Sequence, residues 1–411
     1  GSNNMEKIAI ITSGFLPVPA SKGGAVENII VNLLNENEEK ENAEFNIISI
    51  FDDTSYNESK KYNKSKFTFI KVNFLVKVID KMTFLIAKKI LKKENSQSYR
   101  YIFQRIYYLN KCSKILKNNN FDKVILENHP TQYLALKWRK NYLKYAGRYY
   151  YHCHNEFPGT YGCSKIIRNT EKIICVSNFI ANSISNLMNM PSDKFVVLRN
   201  CIDVNRFSND LNINEKRKLR EKYGIKENEK ILLFTGRITP EKGVKELVES
   251  LKNVKNQNYK LLILGSALNE LETKTKYQEQ IENIVKTISN KVIFTGFIKY
   301  DEINKFYSIA DIAVLPSIWN DPAPLTIIES LVSGLPIITT NSGGIPEYAT
   351  NGAAIIIERN ENLVRELSKN IDLLLDDEKK LKEMSNSAKN ISKDLTLNNY
   401  YKNFIDIMKE G

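Results

Sequence analysis

The segment 311–347, DIAVLPSIWNDPAPLTIIESLVSGLPIITTNSGGIPE, constrains the fold of this chain more than any other stretch. An apolar run (312–315) leads into a proline-rich loop, a helical pattern follows, and a second apolar run (336–340) ends in a glycine pair. This order is typical of parallel α/β sheets, in which ligands bind at the carboxyl ends of the strands. Asp321 in the loop and Glu329 in the helix are therefore candidates for holding a ligand that carries hydroxyl groups.

Apolar runs of strand length, separated by segments of helix length, recur along the rest of the chain. In the first half they lie at residues 7–12, 45–51, 123–126, 148–151, 172–176 and 195–199, and in the second half they begin at residues 231, 260 and 292. A chain of 411 residues is long enough for two domains with separate cores. We predict an α/β fold with one domain over residues 5–208, a polar linker over 209–230, a second domain over 231–392 and a final helical segment over 393–411.

Two strand ends in the first half carry candidate binding residues. Gly23 and Gly24 come directly before an amphipathic helix, where free backbone N–H groups and the helix dipole favour an anion; a plain strand-to-helix turn is the alternative. His154 follows the apolar run 148–151 in a polar loop, so it is a candidate to exchange hydrogen bonds with a ligand hydroxyl. His129 and His152 are weaker candidates.

A loop in the second half, GRITPEKG at 236–243, contains two cations five residues apart. It lies between a predicted strand and a predicted helix. Arg237 can bind phosphate oxygens through its forked guanidinium and Lys242 supplies a point charge, so the pair suits a diphosphate. Two exposed surface cations with no ligand are the alternative.

The net charge of +13 is concentrated in one region. Residues 60–117 contain sixteen Lys or Arg and only two acids, Asp80 and Glu94, and the rest of the chain is near neutral. A helix predicted over 73–93 places four lysines within a narrow arc beside apolar residues. These four lysines are Lys77, Lys81, Lys88 and Lys92. A solvated face, an anionic membrane surface and nucleic acid all fit such a pattern, but no nucleic-acid-binding signature accompanies it.

Other features exclude several classes of protein. No run of 18 apolar residues and no basic leader is present, which predicts a chain that neither spans a membrane nor is secreted through a signal peptide. The five cysteines form no CxxC pair and are expected to be free thiols. Three histidines are too few for a His-rich metal site.

Together these motifs resemble the retaining glycosyltransferases of family 4. The matching segments, in family order, are Gly23-Gly24-x-x-Glu27, the HxHNE motif around His154, IICVSNF (173–179), NCID (200–203), GRITPEKG (236–243), LLILGS (261–266), FTGFI (294–298), ADIAVLPS (310–317) and 324–347. The resemblance implies a GT-B architecture, in which two Rossmann-like domains with parallel sheets face each other across a cleft. It also implies that the first domain binds the acceptor, the second binds the nucleotide sugar, and the final helix crosses back onto the first domain.

The resemblance also assigns roles to individual residues. Arg237 and Lys242 would hold the donor diphosphate, Glu329 would bind the ribose, and His154 would touch the donor sugar. Further donor contacts would come from Gly23 and Gly24, from Gly236, and from the helix start at Pro324, Leu325 and Thr326. The family pattern has Glu at the position of Asp321, whose side chain is one methylene shorter and therefore reaches roughly 1.5 Å less. We expect donor preference to depend on this position.

The expected activity is transfer of a hexosyl or N-acetylhexosaminyl group, with retention of configuration, from a nucleotide sugar, most simply a UDP-sugar. The expected acceptor is a saccharide or lipid-linked saccharide of cell-surface polysaccharide or glycolipid synthesis, reached from the cytoplasmic face of an anionic membrane. No metal and no cofactor is expected, because two cations already face the diphosphate, and no nucleic-acid partner is expected. The alternatives are another GT-B enzyme, such as a sugar-phosphate synthase or an epimerase, and a non-catalytic sugar- or nucleic-acid-binding partner.

Overall fold

A computed structural model describes residues 5–90, 101–208, 211–265, 275–288, 290–350 and 352–410. The chain forms two compact units: one comprises Gly1–Arg199 with Tyr400–Gly411, and the other comprises Asn200–Asn399. Each unit has its own parallel sheet.

The first unit alternates strands and helices. Its strands are β1 (Lys7–Ile11), β2 (Glu44–Ile50), β3 (Ser65–Ile70), β4 (Lys123–Glu127), β5 (Tyr149–Cys153), β6 (Lys172–Cys175) and β7 (Phe195–Val197). Its helices are α1 (Ala25–Lys40), α2 (Asp53–Ser59), α3 (Phe74–Lys89), α4 (Ile102–Asn118), α5 (Leu134–Lys137), α6 (Asn141–Lys144), α7 (Ser164–Arg168) and α8 (Asn178–Met188).

The second unit repeats this alternation. Its strands are β8 (Lys230–Thr235), β9 (Tyr259–Leu264), β10 (Val292–Gly296), β11 (Ile312–Leu315), β12 (Ile337–Thr340) and β13 (Ala354–Ile357). Its helices are α9 (Val204–Ser208), α10 (Ile213–Lys222), α11 (Val244–Ser250), α12 (Lys276–Val285), α13 (Ile303–Ile309), α14 (Leu325–Val332), α15 (Ile345–Tyr348), α16 (Leu363–Leu375) and α17 (Glu378–Ser392). Helix α18 (Leu397–Lys409) begins in this unit, and its residues from Tyr400 onward belong to the first unit.

Both sheets have the strand order of a Rossmann-like domain. Within the described residues the orders are β3-β2-β1-β4-β5-β6-β7 and β10-β9-β8-β11-β12-β13, with parallel pairing throughout. The central strands are almost fully buried, which explains why they are continuous apolar runs rather than alternating ones. In each sheet the order reverses between two central strands, β1 and β4 or β8 and β11. Ligands of such sheets bind at the carboxyl ends of these strands.

Two of the four edge strands, β3 and β13, are absent from the sequence prediction. β3 lies inside the basic region but before the helix predicted over 73–93, and β13 follows the glycine-rich turn at the end of the second sheet. Edge strands are only partly buried, as the alternating exposure of β3 shows, so their apolar signal is weaker.

The predicted linker was wrong. Helix α10 occupies much of 209–230, and this part of the chain belongs to the second unit, whose boundary lies at Asn200. Asn212 and Glu215 form a reciprocal capping box at the start of α10, and Leu219 and Tyr223 pack against the apolar core of the second unit. The segment is polar because only one face of this surface helix is apolar. The other boundary also differs, since residues 393–399 belong to the second unit.

Two predictions about the chain as a whole were tested. All five cysteines are buried free thiols, as expected. Among the helices that the structure describes, none is both long and apolar enough to cross a membrane.

Candidate active site

The loop after β8 presents the two predicted phosphate-binding cations. Arg237 is exposed and forms no ion pair with any residue that the structure describes. Lys242 ends a 3-10 turn and precedes Gly243, which adopts φ 75° at the start of α11. A Cβ atom on Gly243 would lie 1.9 Å from the carbonyl oxygen of Pro316, so only glycine allows the loop to approach the end of β11 this closely.

Asp321 contacts one of these cations. Its Oδ2 atom lies 3.7 Å from the Nζ atom of Lys242, and its Oδ1 atom accepts a hydrogen bond of 3.1 Å from the N–H group of Ala323. Burial raises the pKa of Asp321, while Lys242 opposes that rise. The backbone carbonyl of Asp321 also accepts from the N–H group of Gly344 at 2.8 Å. Asp321 thus organises the loop before α14 and holds Lys242 loosely.

A small cavity opens at the carboxyl ends of β8 and β11, where the strand order reverses. Its walls include Thr235 and Leu315 at the ends of these strands, Lys242 and Asp321 from the two loops, and Thr326 at the start of α14. The first N–H groups of α14 have no partner inside the helix, and no side chain caps this end at Pro324. Its helix start, which includes Leu325, therefore offers unpaired donors beside the cavity.

Glu329 lies in the same helix and is almost fully buried. Burial raises the pKa of its carboxyl to about 8, and the neighbouring hydroxyl of Tyr307 only partly offsets this. No basic side chain forms an ion pair with Glu329 among the described residues. A buried carboxylate without a cation is costly, and hydroxyl groups of a ligand could lower that cost by donating hydrogen bonds.

The carboxyl edge of the first sheet carries the glycine pair at the start of α1. Gly23 and Gly24 adopt φ 80° and 98°. A Cβ atom on Gly24 would meet the buried carboxylate of Glu27 at 2.2 Å, whereas Gly23 has open space around the same position. Ser13 donates to Glu27 over 3.1 Å, and burial raises the pKa of this carboxyl. A side chain at Gly24 would have to displace the end of Glu27 and adopt a strained φ, whereas Gly23 leaves its backbone open to a ligand.

His154 belongs to a buried polar cluster at this edge. Its Nε2 atom lies 3.3 Å from Oε2 of Glu127, the last residue of β4, and Oε1 of Glu127 lies 3.0 Å from Nδ1 of His152. The hydroxyl of Tyr400 lies 3.2 Å from Nε2 of His152. The ligand atoms of Glu127, His152 and His154 lie within 4.8 Å of one another, which is also a spacing that could hold a metal ion. Sequence reasoning gave Glu127 and Tyr400 no role.

The basic surface centres on α3. Lys77, Lys81 and Lys88 are exposed on it, and Lys92 lies outside the described residues. Asp80 is instead buried, and its two carboxylate oxygens accept hydrogen bonds of 2.8 Å from the first N–H groups of α4 at Phe103 and Gln104. This acid therefore caps α4 and does not neutralise the surface.

Comparison with known proteins identifies the family. A sequence profile for glycosyl transferases group 1 matches residues 215–391, and a profile for glycosyltransferase family 4 matches residues 87–206. The putative glycosyltransferase YtcC of Bacillus subtilis is 24% identical over 390 residues, which are 93% of this chain and 86% of YtcC. The two profiles match the second half of the first unit and most of the second unit.

This chain belongs to the family 4 glycosyltransferases of GT-B type.

Other relatives of this glycosyltransferase match over shorter regions. An uncharacterized glycosyltransferase, MJ1607 of Methanocaldococcus jannaschii, is 30% identical over 179 residues, 43% of this chain and 44% of MJ1607. The alpha-monoglucosyldiacylglycerol synthase of Streptococcus pneumoniae is 29% identical over 177 residues, 42% of this chain and 38% of that protein. The alignments thus span under half the length of these two relatives.

Solved structures share the fold of this glycosyltransferase. Anabaena Alr3699/HepE in complex with UDP-glucose superimposes with a TM-score of 0.69 at 16% identity, covering 99% of this chain and all of the other. The predicted fold class and family resemblance are therefore confirmed. The roles of individual residues stay predictions, although the structure does bring Lys242, Asp321, Pro324 and Thr326 to one cavity.

Proposed function

We propose that this glycosyltransferase moves a hexosyl or N-acetylhexosaminyl group from a UDP-sugar, with retention of configuration, to a saccharide or lipid-linked saccharide at the cytoplasmic face of a membrane. The observation that carries the proposal is the second unit's carboxyl edge. There, among the described residues, Arg237 is exposed and forms no ion pair, and the first N–H groups of α14 have no capping side chain. Lys242 lines the cavity beside them. Three kinds of donor at one edge suit a diphosphate.

A UDP-sugar donor is inferred from HepE, which has the same fold and whose structure is a complex with UDP-glucose. The contact to the ribose is inferred from this chain. In this chain the buried carboxyl of Glu329 lies in the helix whose first turn lines the diphosphate cavity. A nucleotide whose phosphates occupy the cavity could donate hydrogen bonds from its ribose hydroxyls to Glu329, in addition to the Tyr307 hydroxyl. We infer that Glu329 accepts hydrogen bonds from these hydroxyls.

The chemistry follows from the leaving group. An acceptor hydroxyl forms a bond to the anomeric carbon as the bond from that carbon to the β-phosphate oxygen breaks. Both electrons of the breaking bond go to UDP, where Arg237, Lys242 and the α14 N–H groups meet the developing charge. Preorganised donors of this kind typically make the largest catalytic contribution. We infer a front-face reaction in which the departing phosphate oxygen takes the acceptor's proton, since no residue is assigned as an enzymatic nucleophile.

We propose that the diphosphate needs no metal ion. Two cationic side chains supply the positive charge that a divalent ion would provide, and Asp321 in the cavity wall already contacts one of them. The reaction is therefore expected to proceed in the presence of a metal chelator such as EDTA.

The acceptor is assigned to the first unit. A cavity of about 490 Å³ lies near the ends of β2 and β3, and its walls include Lys22, Lys71 and Lys77 together with Asp52 and Asp53. Mixed cations and carboxylates suit a polar, hydroxyl-rich or phosphate-bearing molecule.

Membrane contact is proposed for α3 and the start of α4. Beside its exposed lysines, α3 exposes Phe74 to 79%, Leu75 to 64%, Met82 to 58% and Ile86 to 45%. An open groove of about 600 Å³ between the two helices is also largely apolar, with Val76, Ile79, Phe103, Ile106, Tyr107 and Trp138 among its lining residues. Basic residues beside exposed apolar side chains favour an anionic lipid surface over a plain solvated face. The relative from S. pneumoniae, an alpha-monoglucosyldiacylglycerol synthase by name, is consistent with a lipid-linked acceptor.

The donor experiment is a panel of UDP-, GDP- and ADP-sugars scored by thermal shift and by release of the nucleoside diphosphate, with and without EDTA. We expect a UDP-sugar to give both signals, unchanged by EDTA. Release of the nucleoside diphosphate from a GDP- or ADP-sugar alone would overturn the assignment of UDP as the donor nucleotide. Complete loss of nucleotide release in EDTA would overturn the metal-free mechanism. Formation of a product without any acceptor would instead identify an epimerase.

The membrane experiment is flotation with vesicles that contain anionic lipid. We expect the wild-type protein to float and a Lys77→Gln, Lys81→Gln, Lys88→Gln triple variant to float at least tenfold less. The matched control changes Lys252, Lys379 and Lys382, three exposed lysines of the second unit, to Gln, so its net charge is equal. Equal flotation of both variants would contradict the assignment of α3.

A further inference from the structure

We propose that the acceptor of this glycosyltransferase is a phosphate-bearing lipid whose hydrocarbon chain lies in the apolar groove between α3 and α4 and whose phosphate lies among the lysines of the neighbouring cavity. The identity of the acceptor rests on the proposed function, which it narrows from any saccharide or lipid-linked saccharide to a molecule with a chain and an anionic head. One lipid chain thereby has a defined place in the first unit, which differs from general adhesion of α3 to a membrane surface.

The groove between α3 and α4 has the composition of a hydrocarbon-binding site. Its volume is about 600 Å³, and its walls are aliphatic or aromatic except at Asn110 and Arg139. The guanidinium of Arg139 already donates to the side chain of Asn110 at 2.9 Å and to the hydroxyl of Ser113 at 3.1 Å. Among the lining residues that the structure describes, none is acidic. Walls of this kind favour a hydrocarbon chain over a free sugar, which needs many polar partners.

Asp80 brings the groove next to the cationic cavity at the ends of β2 and β3. Its two carboxylate oxygens accept from the N–H groups of Phe103 and Gln104 at 2.8 Å each, which fixes the start of α4 against α3. On α4, Phe103 lines the groove and Gln104 lines the cavity; on α3, Val76 lines the groove and Lys77 lines the cavity. Successive residues of a helix lie about 100° apart around its axis. The two spaces therefore occupy adjacent faces of one helix pair.

The cavity has a surplus of positive charge that suits a phosphate. Lys22, Lys71 and Lys77 line its 490 Å³ together with Asp52 and Asp53. One oxygen of Asp52 accepts hydrogen bonds from a hydroxyl and a backbone N–H group at 2.7 and 3.1 Å, and the other lies 3.7 Å from Lys22. Lys71 and Lys77 form no ion pair with any residue that the structure describes. These two lysines can donate to phosphate oxygens.

The same charge selects a lipid over a second copy of this chain as the occupant of the groove. Residues 60–117 contain sixteen Lys or Arg and only two acids, and Lys77, Lys81 and Lys88 are exposed on α3. Two copies that met through α3 would bring these like charges together, which is unfavourable. A molecule with a hydrocarbon chain and a phosphate matches both the groove and the cavity.

Tryptophan fluorescence tests the groove directly, because the sequence contains only two tryptophans and Trp138 lines the groove. The full chain with Trp319→Phe is titrated with octyl, decyl and dodecyl phosphate below their micelle concentrations. We expect the emission of Trp138 to move to shorter wavelength. The Kd should fall by up to about fourfold with each added methylene, since each methylene leaves water in the groove.

Two further ligands separate the chain from the head. Inorganic phosphate has no chain and should not move the emission of Trp138. A dodecyl oligoethylene glycol ether has no charge and should bind about tenfold more weakly than dodecyl phosphate. A Kd that does not depend on chain length would overturn the chain site, and equal Kd values for the ether and the phosphate would overturn the anionic head. A dimer that dodecyl phosphate does not dissociate would identify the groove as an interface between copies.

Filling the groove separates it from the membrane surface. Val76→Phe with Ile106→Phe occupies the groove and keeps it apolar, so the affinity for dodecyl phosphate should fall by about tenfold or more. Flotation on anionic vesicles should stay at the wild-type level, because the exposed lysines remain. The matched control, Ile213→Phe with Leu373→Phe, changes two exposed apolar residues of the second unit and should alter neither. Unchanged affinity in the groove variant, or an equal loss of flotation, would overturn the chain site.

Removing two lysines tests the head. Lys22→Gln with Lys71→Gln should weaken dodecyl phosphate to the affinity of the ether and leave the ether unchanged. Lys252→Gln with Lys379→Gln removes the same charge from the second unit and should leave both unchanged. Wild-type affinity for dodecyl phosphate in the first variant would overturn the phosphate contact.

Turnover distinguishes this site from the proposed function. If dodecyl phosphate binds at Trp138 as expected while no nucleotide sugar is turned over, the proposed function fails and the lipid site stands. If a UDP-sugar is turned over while no alkyl phosphate moves the emission of Trp138, the lipid site fails and the proposed function stands.

Discussion

The carboxyl edges of the two sheets occupy equivalent places in their units but hold their polar groups differently. At the first edge Glu127, His152 and His154 are buried and bonded to one another. At the second edge Arg237 is exposed and unpaired within the described chain, and Lys242 has only a loose contact of 3.7 Å. The polar groups of the first edge bond to one another, whereas the second edge has donors without a close partner among the described residues. Our proposal is therefore that the first edge positions groups and the second binds charge.

The largest effect is expected from removing the two cations of the second edge, Arg237 and Lys242. Arg237→Ala or Lys242→Ala should lower the turnover of a UDP-sugar by about 100- to 1000-fold, since each removes a donor that faces the leaving diphosphate. The melting temperature should be unchanged, because Arg237 forms no ion pair with the part of the chain that the structure describes and Lys242 forms only a weak one. Steady-state release of UDP measures the effect.

The controls for this prediction lie on the same unit. Arg365→Ala and Lys252→Ala remove exposed cations of the same types away from the loop after β8. They should retain full turnover. Wild-type activity in either Arg237→Ala or Lys242→Ala would contradict the assignment of the diphosphate site.

Substitution of one glycine at each edge, Gly243 and Gly23, tests how closely the backbone there is packed against its neighbours. Gly243→Ala places a Cβ atom 1.9 Å from the Pro316 carbonyl oxygen, so we expect a loss of about 3 kcal/mol in the free energy of unfolding of the second unit. Gly23→Ala has a similar φ of 80° but open space, and should cost about 1 kcal/mol. Urea denaturation measures both. Equal costs would show that the close approach of this loop to β11 is not structurally required.

The sequence predicts the central strands well but the contacts at their ends poorly. Buried strands such as β8 and β11 are continuous apolar runs and can be recognised in the sequence. The two cations of the motif at 236–243 can also be identified from the sequence. Glu127 and Tyr400 carry no such local signal, because their roles depend on strand register and on a helix far away in sequence. The sequence interpretation ranks His152 below His154 because alternation turns both to the same side but places His152 earlier within the strand. The observed strand includes His152 and leaves His154 beyond its end.

A further test concerns the pH dependence that Glu329 imposes. Its folded-state pKa of about 8 lies above the ordinary value of 4.5, so the protonated form is favoured by folding. This contribution to stability is complete below about pH 4.5 and is lost as the pH rises toward 8. Between pH 6 and pH 8 the wild-type protein should lose on the order of 2 kcal/mol relative to Glu329→Gln. Parallel stability curves for the two proteins in urea would contradict the shifted pKa.

The smallest expected effect belongs to Asp321, where this chain departs from the family pattern. Its carboxylate holds the Ala323 N–H group and contacts Lys242 loosely, so it shapes the loop more than it binds charge. Asp321→Glu should change the ratio of kcat/KM between UDP-glucose and UDP-N-acetylglucosamine by up to about tenfold, or 1.4 kcal/mol, and leave the Kd of UDP unchanged. Asp321→Asn keeps the oxygen that accepts from Ala323 and is the matched control for charge. A loss above 100-fold with every donor in the Asn variant would instead place Asp321 in the catalytic step, and the second edge would then depend on a half-buried acid.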